Sequence, residues 1–272
     1  MISEILLVAG VGVLSLALRN FAHPVLFRLG TFGFVATSFL AGWILGGSVW
    51  LGIVFASTWF LLPWFEILTR IRRLRLPLHR SLEKCAPPPS SQFPNFSELT
   101  DQMEESGFEY VEDVDWNDDQ SRHFYRLFYH PQLKSTGKIC LIEDGQFSFY
   151  YSRFSSHHRD GRHFLTWNYP FSPAMQLLPR TILNRVEEDC SIKELIGLHE
   201  AFVASNSANS RDMMDKSSSS LRSDFEAEMR ELLEHNVAKG ILTQDNKQMI
   251  RYSVRGMFYI WAQFLREFVK FS

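Results

Sequence analysis

Cysteine is scarce in this sequence. Cys85, Cys140 and Cys190 are the only three among 272 residues, and they lie far apart. A secreted domain held together by disulfides needs a denser and even-numbered set, and a zinc site needs closely spaced ligands such as Cys-x-x-Cys. The sequence therefore excludes a disulfide framework and a cysteine-based zinc site, and it favours a reducing compartment.

Catalytic, cofactor-binding and nucleic-acid-binding motifs are also absent from the sequence. Cys190 and His199 have the side-chain chemistry of a nucleophile and a base, but a helix beginning at Ser191 separates them by more than two turns, so we reject this pair. We therefore predict no cofactor and favour a non-enzymatic role over an enzymatic one. Nucleic acid is disfavoured as a partner.

Charge is missing from one long stretch. Residues 29–65 contain no Asp, Glu, Lys or Arg, although the whole chain has an ordinary composition and a net charge of −2. About 20 apolar residues suffice for one membrane-spanning helix. The stretch therefore predicts two transmembrane helices, near residues 29–46 and 48–68. Gly46-Gly47-Ser48 divides them, which predicts a helical hairpin with a tight turn.

Residues 2–18 are a third apolar segment. It is short for a span, but Arg19 and the terminal amine are able to extend toward the headgroups. A cleaved signal peptide is the alternative, and it usually begins with basic residues, whereas this chain has Glu4. We favour a retained helix, which gives a transmembrane anchor of three helices over residues 1–70.

Basic residues predict the orientation of the anchor. Arg19 and Arg28 lie between the first two spans, and five arginines follow the last one, whereas the Gly-Gly turn has no Lys or Arg. Positive charge marks the cytoplasmic side. We expect a cell inner membrane of the bacterial type, with everything after about residue 70 in the cytoplasm.

Small residues recur at four-residue spacing in the hairpin, which predicts close helix packing. These residues are Ser38, Gly42, Gly46, Gly52 and Ala56. Pairing with a helix of another protein is the alternative use of the same pattern. The middle of the hairpin lacks an ionisable residue, which argues against transport by this chain alone.

Residues 71–92 are predicted to join the anchor to the soluble part as a basic juxtamembrane segment and a proline-rich spacer. Anionic lipid headgroups attract clustered arginines, so membrane lipid is an expected partner. The predicted headgroup contacts are Arg70, Arg72, Arg73, Arg75 and Arg80. Pro87-Pro88-Pro89 predicts an extended spacer that holds the domain away from the membrane.

Residues 93–205 predict a small cytoplasmic α+β domain. Asn95 with Glu98, and Ser191 with Glu194, have the spacing of helix capping boxes. Between them, alternating and aromatic-rich stretches, with Asp144-Gly145 and Asp160-Gly161 as turns, predict an antiparallel meander of about five strands. Residues 182–187 are a candidate further strand. We expect flanking helices on one face and a water-exposed opposite face.

A serine-rich linker is predicted over residues 206–220, followed by a C-terminal helix–hairpin–helix module over residues 221–272. About 35 residues of this module, from 232 to 265, resemble the wing and final helix of a winged-helix fold. A preceding recognition helix and a basic stripe are missing, so DNA binding is disfavoured. The alternative is a cap whose aromatic helix packs on the domain or lies on the membrane surface.

Two clusters contain residue types that bind metals. His157, His158, Asp160 and His163 surround the second predicted turn, but adjacent residues of an extended chain point to opposite faces. Asp113, Asp115 and Asn117 alternate as in a calcium loop, but the pattern fails at Asp118 and Phe124. We therefore disfavour metal binding at both clusters and predict polar, solvated turns.

Residues 166–173 are the densest aromatic and proline stretch outside the anchor. Trp167, Tyr169 and Phe171 are the candidate residues for binding a protein partner, with packing under a loop as the alternative. The leading hypothesis is a membrane-anchored accessory or scaffold protein, as a subunit of a larger membrane assembly. A membrane-associated enzyme with a site on the open sheet face, and a membrane-tethered regulator that uses the winged-helix-like module, are the alternatives.

Overall fold

The computed structural model describes residues 2–21, 23–117, 121–145, 147–186, 190–206, 210–216, 218–245 and 249–269. The helices are α1 (Ile2–Arg19), α2 (Pro24–Gly46), α3 (Val49–Thr69), α4 (Phe96–Glu105), α5 (Ile192–Ser205), α6 (Leu221–Ala238) and α7 (Val254–Val269). The strands are β1 (Leu76–Pro77), β2 (Glu83–Lys84), β3 (Glu109–Asn117), β4 (Ser121–His130), β5 (Ser135–Asp144), β6 (Phe147–His157), β7 (His163–Trp167), β8 (Thr181–Arg185), β9 (Leu242–Gln244) and β10 (Met249–Tyr252). The chain is therefore an α+β protein.

The first three helices are long and apolar enough to cross a membrane. The predicted break between α2 and α3 is confirmed, since Gly47 adopts a φ of 66°, which glycine tolerates best, and Ser48 caps α3 through Trp50 N. The predicted start of α2 at residue 29 was too late. The helix begins at Pro24, a favoured first residue because its missing N–H is not needed there.

Small residues bring α2 and α3 together. A Cβ atom added at Gly42 would lie 2.6 Å from the Leu51 carbonyl oxygen, and one added at Gly52 would lie 2.8 Å from the Phe39 carbonyl oxygen. Ser38 accepts a hydrogen bond of 2.7 Å from the Trp59 indole.

The other two residues of the small-residue pattern also lie in this hairpin. A Cβ atom at Gly46 would meet the Leu51 side chain at 2.4 Å, and Ala56 is half-buried. The pattern therefore packs the hairpin of this chain, as close backbone approach requires.

Residues 71–92 are not an extended spacer between α3 and the domain. β1 pairs with β10 and β2 pairs with β3, so this segment supplies strands to two sheets. Leu78 and Leu82 enter the core, and Pro88 is buried. The proline run is therefore part of the folded domain, because the apolar residues around it are buried on folding.

The main sheet has seven strands in the order β2-β3-β4-β5-β6-β7-β8. The predicted meander is confirmed from β3 to β7, where all neighbours are antiparallel. The prediction missed β2. The candidate further strand is β8, which pairs parallel to β7. A connection of 13 residues, 168–180, allows this parallel return, which a hairpin turn does not.

Both faces of the main sheet are covered, so the prediction of a water-exposed face was wrong. On the first face, α4 and α5 pack on Phe124, Phe128 and Phe154, all fully buried. On the second face, Phe225 of α6 packs on Tyr125 with the ring centroids 4.9 Å apart. Successive side chains of these strands point to two apolar faces. The second face is covered by α6, which lies about 100 residues further along the chain.

Within residues 221–269 the structure has α6, β9, β10 and α7 in this order, and these elements share their core with the main sheet. β1 from residues 76–77 completes a three-stranded sheet with β10 and β9. The predicted linker also packs in part on the domain, since Met213 is 1% exposed and forms a bridge with His158. Apolar Met213 within a polar segment explains why residues 210–216 are not a free linker. Residues 207–209 and 217 of this segment lie outside the described residues.

The two predicted capping boxes have different outcomes. Ser191 and Glu194 form the reciprocal pair of hydrogen bonds, so the second box is confirmed. Asn95 precedes α4 but makes no side-chain cap bond, so the first box is wrong. Phe93 and Phe96 are buried on either side of Asn95, and this packing fixes the start of α4 instead.

Candidate functional site

Six aromatic side chains form a continuous surface over β6 and the loop after β7. Alternation along β6 places Phe149 and Tyr151 on the same side of the sheet, and Tyr169 packs against both, with ring centroids 5.9 and 4.9 Å away. We call this set the aromatic surface: Phe147, Phe149, Tyr151, Trp167, Tyr169 and Phe171. Its two ends are open, since Phe147 is 48% and Phe171 is 50% exposed.

The aromatic surface lies beside the end of α3. Arg70, the residue after α3, donates a hydrogen bond of 3.0 Å to Asp144 at the tip of the β5–β6 hairpin. On the other side, Arg185 donates to the Pro170 carbonyl oxygen at 2.6 Å and pairs with Glu267 of α7. One polar contact thus ties the β5–β6 hairpin to the end of α3, and Arg185 ties the loop after β7 to α7.

The three predicted partner-binding residues are brought together by the fold, but they differ in exposure. Phe171 is exposed, whereas Trp167 and Tyr169 are half-buried, and the Trp167 and Tyr169 rings are 5.7 Å apart. Trp167 and Tyr169 are thus the less exposed members of the aromatic surface, and Phe171 is an exposed one. Sequence reasoning missed Phe147 and Phe149, which lie on a neighbouring strand.

Beside the aromatic surface, on the same second face, the sheet buries a charged cluster. Glu228 of α6 pairs with Arg153 of β6, and its other carboxylate oxygen lies 3.6 Å from Lys138 Nζ of β5. Lys138 is only 5% exposed, and its ammonium lies 3.4 Å from the centre of the Phe225 ring. We call Lys138, Arg153 and Glu228 the charged cluster. One carboxylate thus faces two basic side chains.

The environment shifts the pKa values of the charged cluster. Burial lowers the pKa of Lys138 to about 7, against the raising effect of the Glu228 carboxylate. Burial alone would raise the pKa of Glu228, but Arg153 and Lys138 hold it well below its ordinary value. The carboxylate is therefore ionised at neutral pH, and Lys138 titrates near pH 7.

The predicted histidine cluster is divided by the fold. His157 and His163 are cross-strand partners whose rings stack 4.1 Å apart on the second face, and burial lowers their pKa values to about 4 and about 3. His158 instead lies 2.8 Å from Asp160 at the turn, and Asp160 also pairs with Arg162. Within the described part of the chain, no group of three or more His, Cys, Asp or Glu side chains is placed to hold a metal.

The alternating acids of β3 contact arginines rather than forming an open loop. Asp113 makes two hydrogen bonds with Arg126, at 2.8 and 2.7 Å, and Asp115 pairs with Arg122 at 3.1 Å. Asn117 points back to Asp115 at 3.5 Å. These carboxylates neutralise cations on β4 across the strand pair. Asp118 and Asp119 of the same stretch lie outside the described residues.

The predicted headgroup-binding arginines also separate into groups. Arg72, Arg73 and Arg75 are exposed beside the end of α3. Arg70 is half-exposed but also bonded to Asp144 and Glu66. Arg80 is farther along and stacks over the Trp116 ring at 4.3 Å, so it belongs to the domain surface.

A buried Ser–His–Thr chain lies on the first face. Ser156 Oγ is 2.9 Å from His199 Nε2, and His199 Nδ1 is 2.9 Å from Thr166 Oγ1. A nucleophile and a base have this spacing, but Ser156 and His199 are each 2% exposed, and burial lowers the pKa of His199 to about 4. The chain satisfies buried polar groups beneath α5 and is closed to a substrate.

Three searches against known proteins gave no match: no family model fits the sequence, no curated protein is similar to it, and no solved structure has a matching fold.

Proposed function

We propose that this protein is anchored in the inner membrane by α1, α2 and α3, and that its cytoplasmic domain is a scaffold that docks a protein partner. The anchor supports the first part, because three helices have the length and apolarity of membrane spans. The side follows from Arg19, Arg28 and the exposed arginines 72, 73 and 75, which all flank the same end of the anchor.

The observation that carries the docking proposal is the position of the aromatic surface. Its exposed member Phe147 is the cross-strand partner of Asp144, which bonds Arg70 at the end of α3, and Phe171 joins it through Phe149, with ring centroids 5.5 Å apart. Large aromatic side chains on a rigid support are the residues that dominate protein interfaces. The proposed anchoring puts this surface at the membrane boundary, and we therefore propose that the partner is itself a membrane protein with an apolar segment near the headgroups.

The experiment uses a photo-crosslinking amino acid at residue 171 in the full chain, in cells, followed by solubilisation in mild detergent. The same amino acid at Tyr110 is the matched control, since Tyr110 is a 47% exposed aromatic residue on β3, outside the aromatic surface. We expect a discrete adduct with one membrane protein from residue 171 and none from residue 110. A second variant, Phe171→Glu, then reduces co-purification of that protein without changing the unfolding temperature.

Equal adducts at both positions, or none at residue 171, contradict the docking proposal. The anchoring proposal has a separate test, because the chain must stay with the membrane pellet after alkaline extraction. Full-length protein in the aqueous fraction, folded and free of detergent, contradicts anchoring.

A further inference from the structure

Helix α7 packs along α3 through aromatic contacts. The rings of Phe258 and Trp64 meet edge to face at 4.9 Å, and Phe268 stacks on Trp59 at 5.6 Å. The α7 residues that make these contacts recur at three- or four-residue intervals, so they share one side of the helix. This side consists of Phe258, Trp261, Leu265 and Phe268.

The contacts place the start of α7 near the charged end of α3, where Phe258 packs on Trp64, and its C-terminal end below it, where Phe268 lies 6.0 Å from the Arg19 guanidinium. Glu66 is the first charged residue of α3, and Trp59 lies seven residues before it, about 10 Å along the helix axis at 1.5 Å per residue. Phe268 stacks on Trp59 and is therefore at the same depth. This is the depth to which amphipathic helices bury their apolar side at a membrane surface.

Beyond its contacts with α3, α7 exposes further apolar area. Val254 is 66% and Phe258 is 52% exposed, and Phe65 on α3 is 72% exposed. Phe258 packs on Trp64, the neighbour of Phe65 in sequence, so the exposed area of α7 continues the apolar surface of α3. A surface continuous with a membrane span is covered by the lipid that covers the span.

The other two sides of α7 agree with a position in which its apolar side faces lipid. Arg255 and Arg266 are both exposed, and they lie eleven residues apart, about three helical turns, on one flank of the helix. The opposite side enters the domain, where Ile260 is 5% exposed and Glu267 pairs with Arg185. The helix thus has an apolar side, a basic flank and a side in the domain core.

We infer that α7 is an interfacial helix, which lies in the cytoplasmic leaflet with its apolar side among the acyl chains and its arginines among the phosphates. This inference rests on the proposed anchoring of α1, α2 and α3. It assigns the membrane a second contact with the domain, and this contact fixes the domain in one orientation relative to the bilayer.

The test is a photoreactive phenylalanine analogue at single positions of the full chain, reconstituted in vesicles of phosphatidylcholine and phosphatidylglycerol. Position 258 tests the apolar side of α7. Position 65 is the control for the span, and position 259 is the control for the domain side, since the Tyr259 hydroxyl bonds to the Met175 carbonyl oxygen. We expect lipid adducts at 65 and 258, with at least about tenfold less at 259.

The three positions separate the two claims. Adducts at 65 but not above the level of 259 at 258 overturn the interfacial helix and leave the anchoring in place. A lack of adducts at 65 overturns the anchoring, and the interfacial helix with it.

Discussion

The indole nitrogen of Trp261 donates a hydrogen bond of 2.8 Å to the backbone carbonyl oxygen of Phe60. Phe60 lies three residues before Pro63, in the turn of α3 where a proline removes an N–H donor and displaces carbonyl groups. A single bond across 201 residues therefore joins the C-terminal helix to the third apolar helix.

Trp261→Phe keeps the aromatic ring and removes the donor of this bond. We expect a loss of about 1 kcal/mol in the free energy of unfolding, which is the typical net contribution of one hydrogen bond. A protease should also cleave near α7 faster in the variant than in the parent protein. The measurement is thermal unfolding in detergent micelles, with Trp50→Phe as the control, since Trp50 is 74% exposed at the opposite end of α3. Equal effects of the two substitutions would argue against a role for the bond.

Gly42→Ile is expected to separate α2 from α3. The new Cβ atom would lie 2.6 Å from the Leu51 carbonyl oxygen, a backbone atom that is unable to move aside. We expect a loss of about 1–3 kcal/mol, as for overpacking elsewhere. Titration with a denaturing detergent, followed by circular dichroism, measures it. Gly10→Ile in α1 is the matched control, because nothing lies within 4 Å of its Cβ position, and it should leave the transition unchanged.

Glu228→Gln should be more harmful than Lys138→Met. The first substitution leaves two buried cations, Arg153 and Lys138, without a carboxylate, which costs about 3–5 kcal/mol. The second removes a buried cation and leaves Arg153 with Glu228, so we expect a change below about 1 kcal/mol. Urea unfolding compares them, with Glu231→Gln on the exposed side of α6 as the control.

The buried Lys138 is also expected to make the free energy of unfolding depend on pH. Its pKa is about 7 in the folded state, below its ordinary value of 10.5. The unfolded chain therefore binds more protons between pH 7 and 10.5, and stability rises with pH across this window. Lys138→Met should flatten that rise. A rise of unchanged slope in the variant would show that another group causes it.

Acid should destabilise the domain well before the carboxylates titrate. Burial lowers the pKa of His199 to about 4, and His157 and His163 are lowered in the same direction. Below pH 6.5 the unfolded chain binds more protons, so stability falls from pH 6.5 toward pH 4, by up to about 1.4 kcal/mol per pH unit for each histidine.

Unfolding in urea between pH 7.5 and 4.5 tests this loss. His199→Gln keeps a donor and an acceptor for Ser156 and Thr166 but does not titrate, so its slope should be smaller. A variant with the parent slope would exclude His199 as a contributor.

The sequence alone determined the parts of this protein that depend on local pattern. The charge-free residues 29–65 predicted α2 and α3, because charges are costly in lipid, and Gly47 marked the turn between them. Alternation and the turns at residues 145 and 161 predicted the strands from β3 to β7, since side chains of a strand point to opposite faces.

Only the tertiary structure decided how the two faces of the sheet are used. Lys138, Arg153 and Glu228 lie on β5, β6 and α6, up to 90 residues apart, and each looks like a surface charge in its local sequence. They are buried because α6 returns across the second face and brings one carboxylate to two cations. The same long-range packing places α7 on α3, and no local pattern encodes it, because the contact depends on the approach of distant parts of the chain.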